Sequence, residues 1–190
     1  MNKNYLIIKQ ALEKDVTNFV LNYFMIKRQV ASTLKENKYI SKFNEDWGTW
    51  SDSQVPNTYS HYADIVMETL LIKLHSKMEK ETGLKLHPTY SFFRIYSFNA
   101  DLKKHVDRES CEISVTVMIG SDGTEWPIYM NDKPVELMPG DACIYMGREV
   151  KHYRKNFKGD WHSQVFLHYV DQEGPFKDFK YDKRSITPET

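Results

Sequence analysis

The periodicity of the chain changes at Leu84, and this change limits the available folds more than any other feature. Eight short strand-like segments follow it, at about 84–97, 102–106, 112–119, 126–130, 134–138, 142–146, 150–154 and 161–170. Ser121-Asp-Gly-Thr124, Asn131-Asp-Lys133 and Pro139-Gly-Asp141 supply turn residues between them. Many short antiparallel strands must dispose of their edges, and a double-sheet jelly roll is one way to do so. Ahead of Leu84 lie two segments with helical spacing, which need a sheet face on which to bury their apolar stripes. The expected fold is α+β, mainly β: a double-stranded β-helix (jelly roll) with two long N-terminal helices packed on one sheet.

The first helix is expected from about Glu13 to Leu34, after a short strand at 5–9. Val16, Phe19, Val20, Tyr23 and Phe24 form its core stripe. The second runs from about His61 to Glu81 on Met67, Leu70, Leu71, Leu74 and Met78, and Gly83 ends it. His61 and His75 have no partner at metal spacing and are expected at the surface. Between the helices, 44–60 reads as a loop carrying Trp47, Trp50 and Tyr59. A loop of this length is uncommon without a function. It is either a lid or substrate wall, or a segment pinned to the domain by its tryptophans.

At 190 residues one domain is expected: 1–171, with helical support at 1–83, a jelly-roll core at 84–171, and a mobile or surface-draped tail at 172–190. Lys plus Arg and Asp plus Glu balance at 26 each, so no nucleic-acid partner and no membrane surface is implied. Two cysteines, Cys111 and Cys143, make no disulfide framework, which fits a reduced, cytoplasmic setting. No apolar run is long enough for a signal peptide or a membrane span.

Within the strand-rich half, His105-Val106-Asp107 places an imidazole and a carboxylate two residues apart, on one face of a strand. Together with a distant histidine they would make the 2-His-1-carboxylate set of a non-haem iron centre. Such triplets also arise by chance, as polar residues at a strand edge. His152 follows the Pro139-Gly140-Asp141 turn and the strand 142–146, and is the third ligand favoured by strand order. His162 and His168 compete by residue type.

Several stretches, taken in order, are more specific. They are Tyr90-Ser-Phe-Phe-Arg-Ile-Tyr96, Leu102-Lys-Lys-His-Val-Asp-Arg-Glu-Ser-Cys-Glu-Ile-Ser-Val-Thr-Val117, Trp126-Pro-Ile, Pro139-Gly-Asp-Ala-Cys-Ile-Tyr145, His152 and Ser163-Gln-Val-Phe-Leu-His-Tyr169. Over roughly 84–171 the chain resembles the prolyl 4-hydroxylase-like branch of the Fe(II)- and 2-oxoglutarate-dependent dioxygenases. The resemblance implies that His105, Asp107 and His152 hold Fe(II). It also implies 2-oxoglutarate as co-substrate, O2 as oxidant, release of succinate and CO2, and hydroxylation of a peptide or small-molecule substrate. Tyr96 matches a tyrosine that helps bind the co-substrate. The aromatic loop suits a peptide or a ring-shaped molecule.

One position departs from the pattern. The family carries Arg or Lys about ten residues after the distal histidine, to pair with the far carboxylate of 2-oxoglutarate. Here that residue is His162, between Trp161 and Ser163. A protonated His162 or Arg94 could take the role, singly or together. Arg94 shares strand parity with Tyr96, and an inward arginine needs an anion. Arg154 is a weaker choice. The alternative from another class is a cupin-like metal-binding jelly roll that does not use 2-oxoglutarate.

Overall fold

The structure, a computed structural model, describes residues 4–184. Strand β1 (Tyr5–Ile8) leads into helix α1 (Lys14–Glu36), strand β2 (Tyr59–Tyr62) and helix α2 (Ile65–Thr82). Eight strands follow: β3 (Leu86–Ser97), β4 (Leu102–His105), β5 (Ile113–Ser121), β6 (Ile128–Met130), β7 (Lys133–Val135), β8 (Ala142–Met146), β9 (His152–Arg154) and β10 (Trp161–Asp171). They form a six-stranded sheet in the order β1-β8-β5-β10-β3-β2 and a four-stranded sheet in the order β4-β9-β6-β7. Every strand pairing in both sheets is antiparallel.

Strand alternation divides the larger sheet into two chemically different faces. Phe93, Ile95, Val115, Val117, Val165, Leu167 and Tyr169 belong to a core shared with the helices. Into it α2 sends Met67, Leu70, Leu71, Leu74 and Met78, all buried. Helix α1 sends Val20, Phe24 and Ala31, and Phe24 stacks on Phe93 with ring centroids 4.0 Å apart. Burying one such phenylalanine contributes about 2–3 kcal/mol. The opposite residues of β3 and β10, among them Tyr90, Phe92, Arg94, Tyr96, Phe166 and His168, line a cavity shared with residues of the four-stranded sheet. The helices therefore stiffen one face of the sheet while the other is free for polar chemistry.

Several sequence expectations need correction. Phe19 is 63% exposed, because the buried stripe of α1 runs through Thr17, Val20, Phe24 and Ala31 and Phe19 falls off it. Residues 59–62 pair with β3 as a strand, and α2 starts only at Ile65. Ala63 has φ +53°, and Asp64 caps the helix by accepting from the Val66 and Met67 amides at 3.0 and 3.2 Å. His61 and His75 are half-buried: His61 Nδ1 is 3.2 Å from Asp64, and His75 Nε2 is 2.7 Å from the Leu86 carbonyl. Strand β6 begins after Pro127, which has no amide to give a ladder.

The loop at 44–60 combines both readings of it. Its base is pinned: the Tyr59 hydroxyl donates to the Trp47 carbonyl, and Trp50 lies on Tyr59 with centroids 4.7 Å apart. Its tip reaches the cavity through Asp52 and Gln54. After β10 a short 3-10 segment (Lys177–Lys183) packs on β3, and Arg184 donates to Glu68 and to the Thr89 carbonyl, each at 2.7 Å. The end of the expected tail, 185–190, lies outside the described residues. Among the described residues no helix is long and apolar enough to cross a membrane.

Candidate active site

Strand β4 ends on His105 and β9 begins on His152, and the two are cross-strand partners. Their rings lie 4.3 Å apart between centroids. Asp107 is not on the strand, as expected from the triplet, but just beyond its end, where its amide donates to the Gly147 carbonyl at 2.8 Å. Its Oδ1 comes 3.7 Å from His105 Nε2 and 3.4 Å from His152 Nε2. One ligand atom from each of the three residues lies within 4.8 Å of the others. One ion can therefore touch all three.

The tautomers suit metal binding. His105 Nδ1 is 2.7 Å from the Lys103 carbonyl and His152 Nδ1 is 3.0 Å from the Val150 carbonyl. A carbonyl only accepts, so each Nδ1 carries the hydrogen and each Nε2 presents a lone pair. Burial, with His152 nearby, holds the His105 pKa below the ordinary histidine value. Burial pushes Asp107 up, but contacts with His152 and Ser114 outweigh it and leave the carboxyl below its ordinary value. The set therefore offers two imidazole Nε2 lone pairs and a carboxylate oxygen, the kinds of donor a divalent metal takes.

Asp107 is also held from behind. Ser114 Oγ donates to its Oδ2 at 2.7 Å, and His168 Nδ1 lies 3.0 Å from the same hydroxyl. Burial lowers the His168 pKa to about 4, so it is a neutral donor to Ser114 at pH 7. His168 and His162 are thus placed away from the ligand cluster. Ser114 and Gly147 were not picked out from the sequence. For Ser114 a signal existed, since it shares strand parity with Thr116 on a face that elsewhere carries polar groups.

The cavity over the triad has a volume of about 330 Å³. Tyr96 and Arg94 line it, whereas His162 and Arg154 are not part of its lining; both pack against Trp126 beside Tyr96. Arg94 is 1% exposed and its Nη2 pairs with Asp52. The fully buried Arg154 has a different environment. Its Nη1 donates to the Trp126 carbonyl, and its guanidinium lies over the Trp126 ring, 4.6 Å from the centroid. Gln164, with its oxygen turned inward, accepts from Arg154 Nη2 at 3.0 Å and from His162 Nε2 at 2.8 Å, while its nitrogen donates to Thr116 Oγ1 at 2.8 Å. Burial lowers the Arg154 pKa to about 10. Burial, then the Arg154 charge, lowers His162 to about 2. His162 is therefore neutral, and the positive charge of this cluster resides on Arg154.

No carboxylate pairs with Arg154 among the described residues. Three buried polar atoms in the same cluster lack a hydrogen-bond partner among the described residues: Tyr96 Oη, Arg154 Nε and His162 Nδ1. Buried orphans are uncommon and call for an explanation. A cation with unused donors beside a metal-ligand set fits a co-substrate with one end chelating the metal and an anionic far end.

No protein-family profile matches the chain, and no curated protein sequence matches it. Solved structures do. The chain is similar to a prolyl-4-hydroxylase of Pseudomonas putida, with a TM-score of 0.53 and 13% identity over 89% of this chain and 93% of that one. It is similar to the viral collagen prolyl hydroxylase of Paramecium Bursaria Chlorella virus-1, solved as a 2OG complex, at TM-score 0.60 and 10% identity over 88% and 96%. It is also similar to the non-heme alpha ketoglutarate dependent epimerase of nogalamycin biosynthesis, at TM-score 0.64 and 11% identity over 89% and 79%. At these identities the likeness establishes the fold. The chain has the jelly-roll fold of the 2-oxoglutarate- and iron-dependent oxygenases, prolyl hydroxylases among them.

Proposed function

We propose that the protein is a non-haem Fe(II)- and 2-oxoglutarate-dependent oxygenase that hydroxylates a small-molecule or peptide substrate. The convergence of His105 Nε2, Asp107 Oδ1 and His152 Nε2, with both Nδ1 atoms committed to carbonyls, carries this reading. His105, Asp107 and His152 would hold the ion as a 2-His-1-carboxylate set, the donor set that suits non-haem Fe(II) oxygenases. When bound, Fe(II) and 2-oxoglutarate supply the oxidising chemistry, with O2 consumed, succinate and CO2 released, and a substrate C–H converted to C–OH.

The chain's own residues supply the rest. His105, Asp107 and His152 orient the metal, and Ser114 holds the Asp107 carboxylate. Arg154 takes the far carboxylate of the co-substrate, with Tyr96 donating its free hydroxyl. His162 and Gln164 hold the guanidinium in place. This assignment moves the anionic anchor from Arg94 and His162 to Arg154, because burial keeps His162 neutral and the unpartnered Tyr96 Oη, Arg154 Nε and His162 Nδ1 gather around Arg154 and not around Arg94. Phe92, Leu102 and Phe166 give the cavity apolar walls that keep water away from the reacting C–H.

The whole of 1–171 acts as one oxygenase domain in this reading. Cys111 and Cys143 are both buried and unpaired, which supports a reducing, cytoplasmic setting. A net charge of zero favours a small molecule or peptide over nucleic acid.

The test is anaerobic addition of Fe(II) and then 2-oxoglutarate. A weak visible charge-transfer band is expected, and His105→Ala abolishes it. Iron binding with no band on adding 2-oxoglutarate would replace this reading with a cupin-like metal-binding jelly roll.

A further inference from the structure

The cavity is lined by a buried cation that the proposed chemistry leaves unused. Arg94 projects from β3 into the same space as the triad. Of its donors, only Nη2 is engaged among the described residues, by Asp52 and, at 3.4 Å, by Gln54 Oε1. Nε is buried without a partner. Gln54 Nε2 lies 3.2 Å from His105 Nε2. One primary amide thus spans the gap between the Arg94 guanidinium and a metal ligand. A group held on Arg94 would place the carbons attached to it over the metal.

The groups now in this space come from the tip of the 44–60 loop. Chain on either side of the tip is fixed. Thr49 and Ser60 exchange main-chain hydrogen bonds at 2.8 and 2.9 Å, and Val55 is buried with its carbonyl bonded to Thr58 Oγ1 at 2.7 Å. Gly48, at φ +89°, lets the pinned base turn, since a Cβ there would come 2.8 Å from the Ser60 carbonyl. Asp52 has a 20% exposed side chain and reaches only one nitrogen of Arg94. A guanidinium fork binds carboxylate best through two nitrogens at once. An incoming carboxylate able to do so has the advantage over Asp52.

We propose that Arg94 docks a carboxylate of the primary substrate, and that Asp52 holds this place until the substrate arrives. The substrate class is a small carboxylic acid, free amino acids included, oxidised at a carbon close to its carboxylate. This rests on the oxygenase reading, with Arg154 and not Arg94 holding the co-substrate. Gln54 moves away from His105 together with Asp52. The chain's own acid and amide thus occupy the position of the substrate in its absence.

The experiment uses the full chain with Fe(II) and 2-oxoglutarate. Succinate formation is measured with the protein L-amino acids and short straight-chain carboxylic acids, each paired with its primary carboxamide. At least one acid should stimulate turnover five-fold or more, while its carboxamide does not. For that acid, Asp52→Asn should lower the half-stimulating concentration at least three-fold, by removing the internal competitor. Arg94→Met should raise it at least fifty-fold while retaining the anaerobic 2-oxoglutarate band, which also reports that the variant is folded. Stimulation by no acid, equal stimulation by the carboxamides, or weaker binding in Asp52→Asn would overturn the proposal. Loss of the band in folded Arg94→Met would overturn it too, by returning Arg94 to the co-substrate. No band in the unaltered protein would instead sink the oxygenase reading, and this inference with it.

Discussion

Asp107 and Gly147 are joined main chain to main chain, with the Asp107 amide donating to the Gly147 carbonyl at 2.8 Å. A Cβ on Gly147 would lie 2.8 Å from Asp107 Oδ2 and 2.1 Å from the Cys111 carbonyl. The carboxylate of the metal set is therefore seated against a residue that cannot carry a side chain. Gly147→Ala should cost about 1–3 kcal/mol of stability, as overpacking does. It should weaken Mn(II) binding at least ten-fold, because relief of the clash displaces Asp107. Calorimetric metal titration of the folded variant checks this, and unchanged affinity would show that the carboxylate is not held by this contact.

Ser114→Ala removes the 2.7 Å hydrogen bond to Asp107 and leaves His168 Nδ1 without its partner. Outer partners of metal ligands typically contribute about 10–100-fold in affinity. A loss within that range is expected for Fe(II) or Mn(II), with little change in secondary structure by circular dichroism. Ser114→Thr, which restores a hydroxyl, should recover part of the loss.

Arg154→Met separates binding from stability. The variant removes a fully buried charge with no paired carboxylate among the described residues, and the desolvation this charge costs offsets the hydrogen bonds lost to the Trp126 carbonyl and Gln164. It should melt no lower than the unaltered protein when metal and 2-oxoglutarate are absent. Added 2-oxoglutarate should raise the melting temperature of the metal-loaded unaltered protein and not that of the variant. A variant that still responds to 2-oxoglutarate would remove Arg154 from the anchor role.

Two buried neutral histidines predict acid sensitivity. The pKa values of His162 and His168 are lowered in the fold to about 2 and about 4, below the ordinary value of 6.5. Below about pH 6.5 the unfolded chain takes up these protons while the folded chain does not, so stability falls as pH drops. Each histidine contributes up to roughly 1.4 kcal/mol per pH unit between its unfolded and folded values. Urea unfolding between pH 7 and pH 4.5 should show this slope, and His162→Asn and His168→Asn should each flatten it. An unaltered slope in both would mean that these histidines titrate alike in the folded and unfolded chain.

The helices and most strands were legible because their apolar residues repeat at 3.6 or 2 and are buried on that pattern. Met67, Leu70, Leu71, Leu74 and Met78 are the clearest case. The start of α2 was not, since the positive φ of Ala63 and the capping side chain of Asp64 leave no trace in periodicity. The triad residues could be chosen because strand order brings His105 and His152 opposite each other. Their fine geometry could not: Asp107 reaches the metal set from a turn beyond the strand, fixed by Gly147 forty residues downstream. The contrast between Arg94 and Arg154 was likewise hidden. Both face the interior by parity, but only the folded chain shows that Asp52, from a distant loop, pairs with the first while the second has no such acid among the described residues.

The histidine rings take their orientation from the carbonyls of Lys103 and Val150, each two residues before the ring it holds. A main-chain oxygen is supplied by whatever amino acid occupies the position. Tautomer and ring angle are therefore insensitive to side-chain identity at 103 and 150, so long as the backbone keeps its path. This confers mutational robustness. The surroundings of the two imidazoles can drift in sequence, and the cavity can be re-lined for a new substrate, without the donor geometry having to be reinvented.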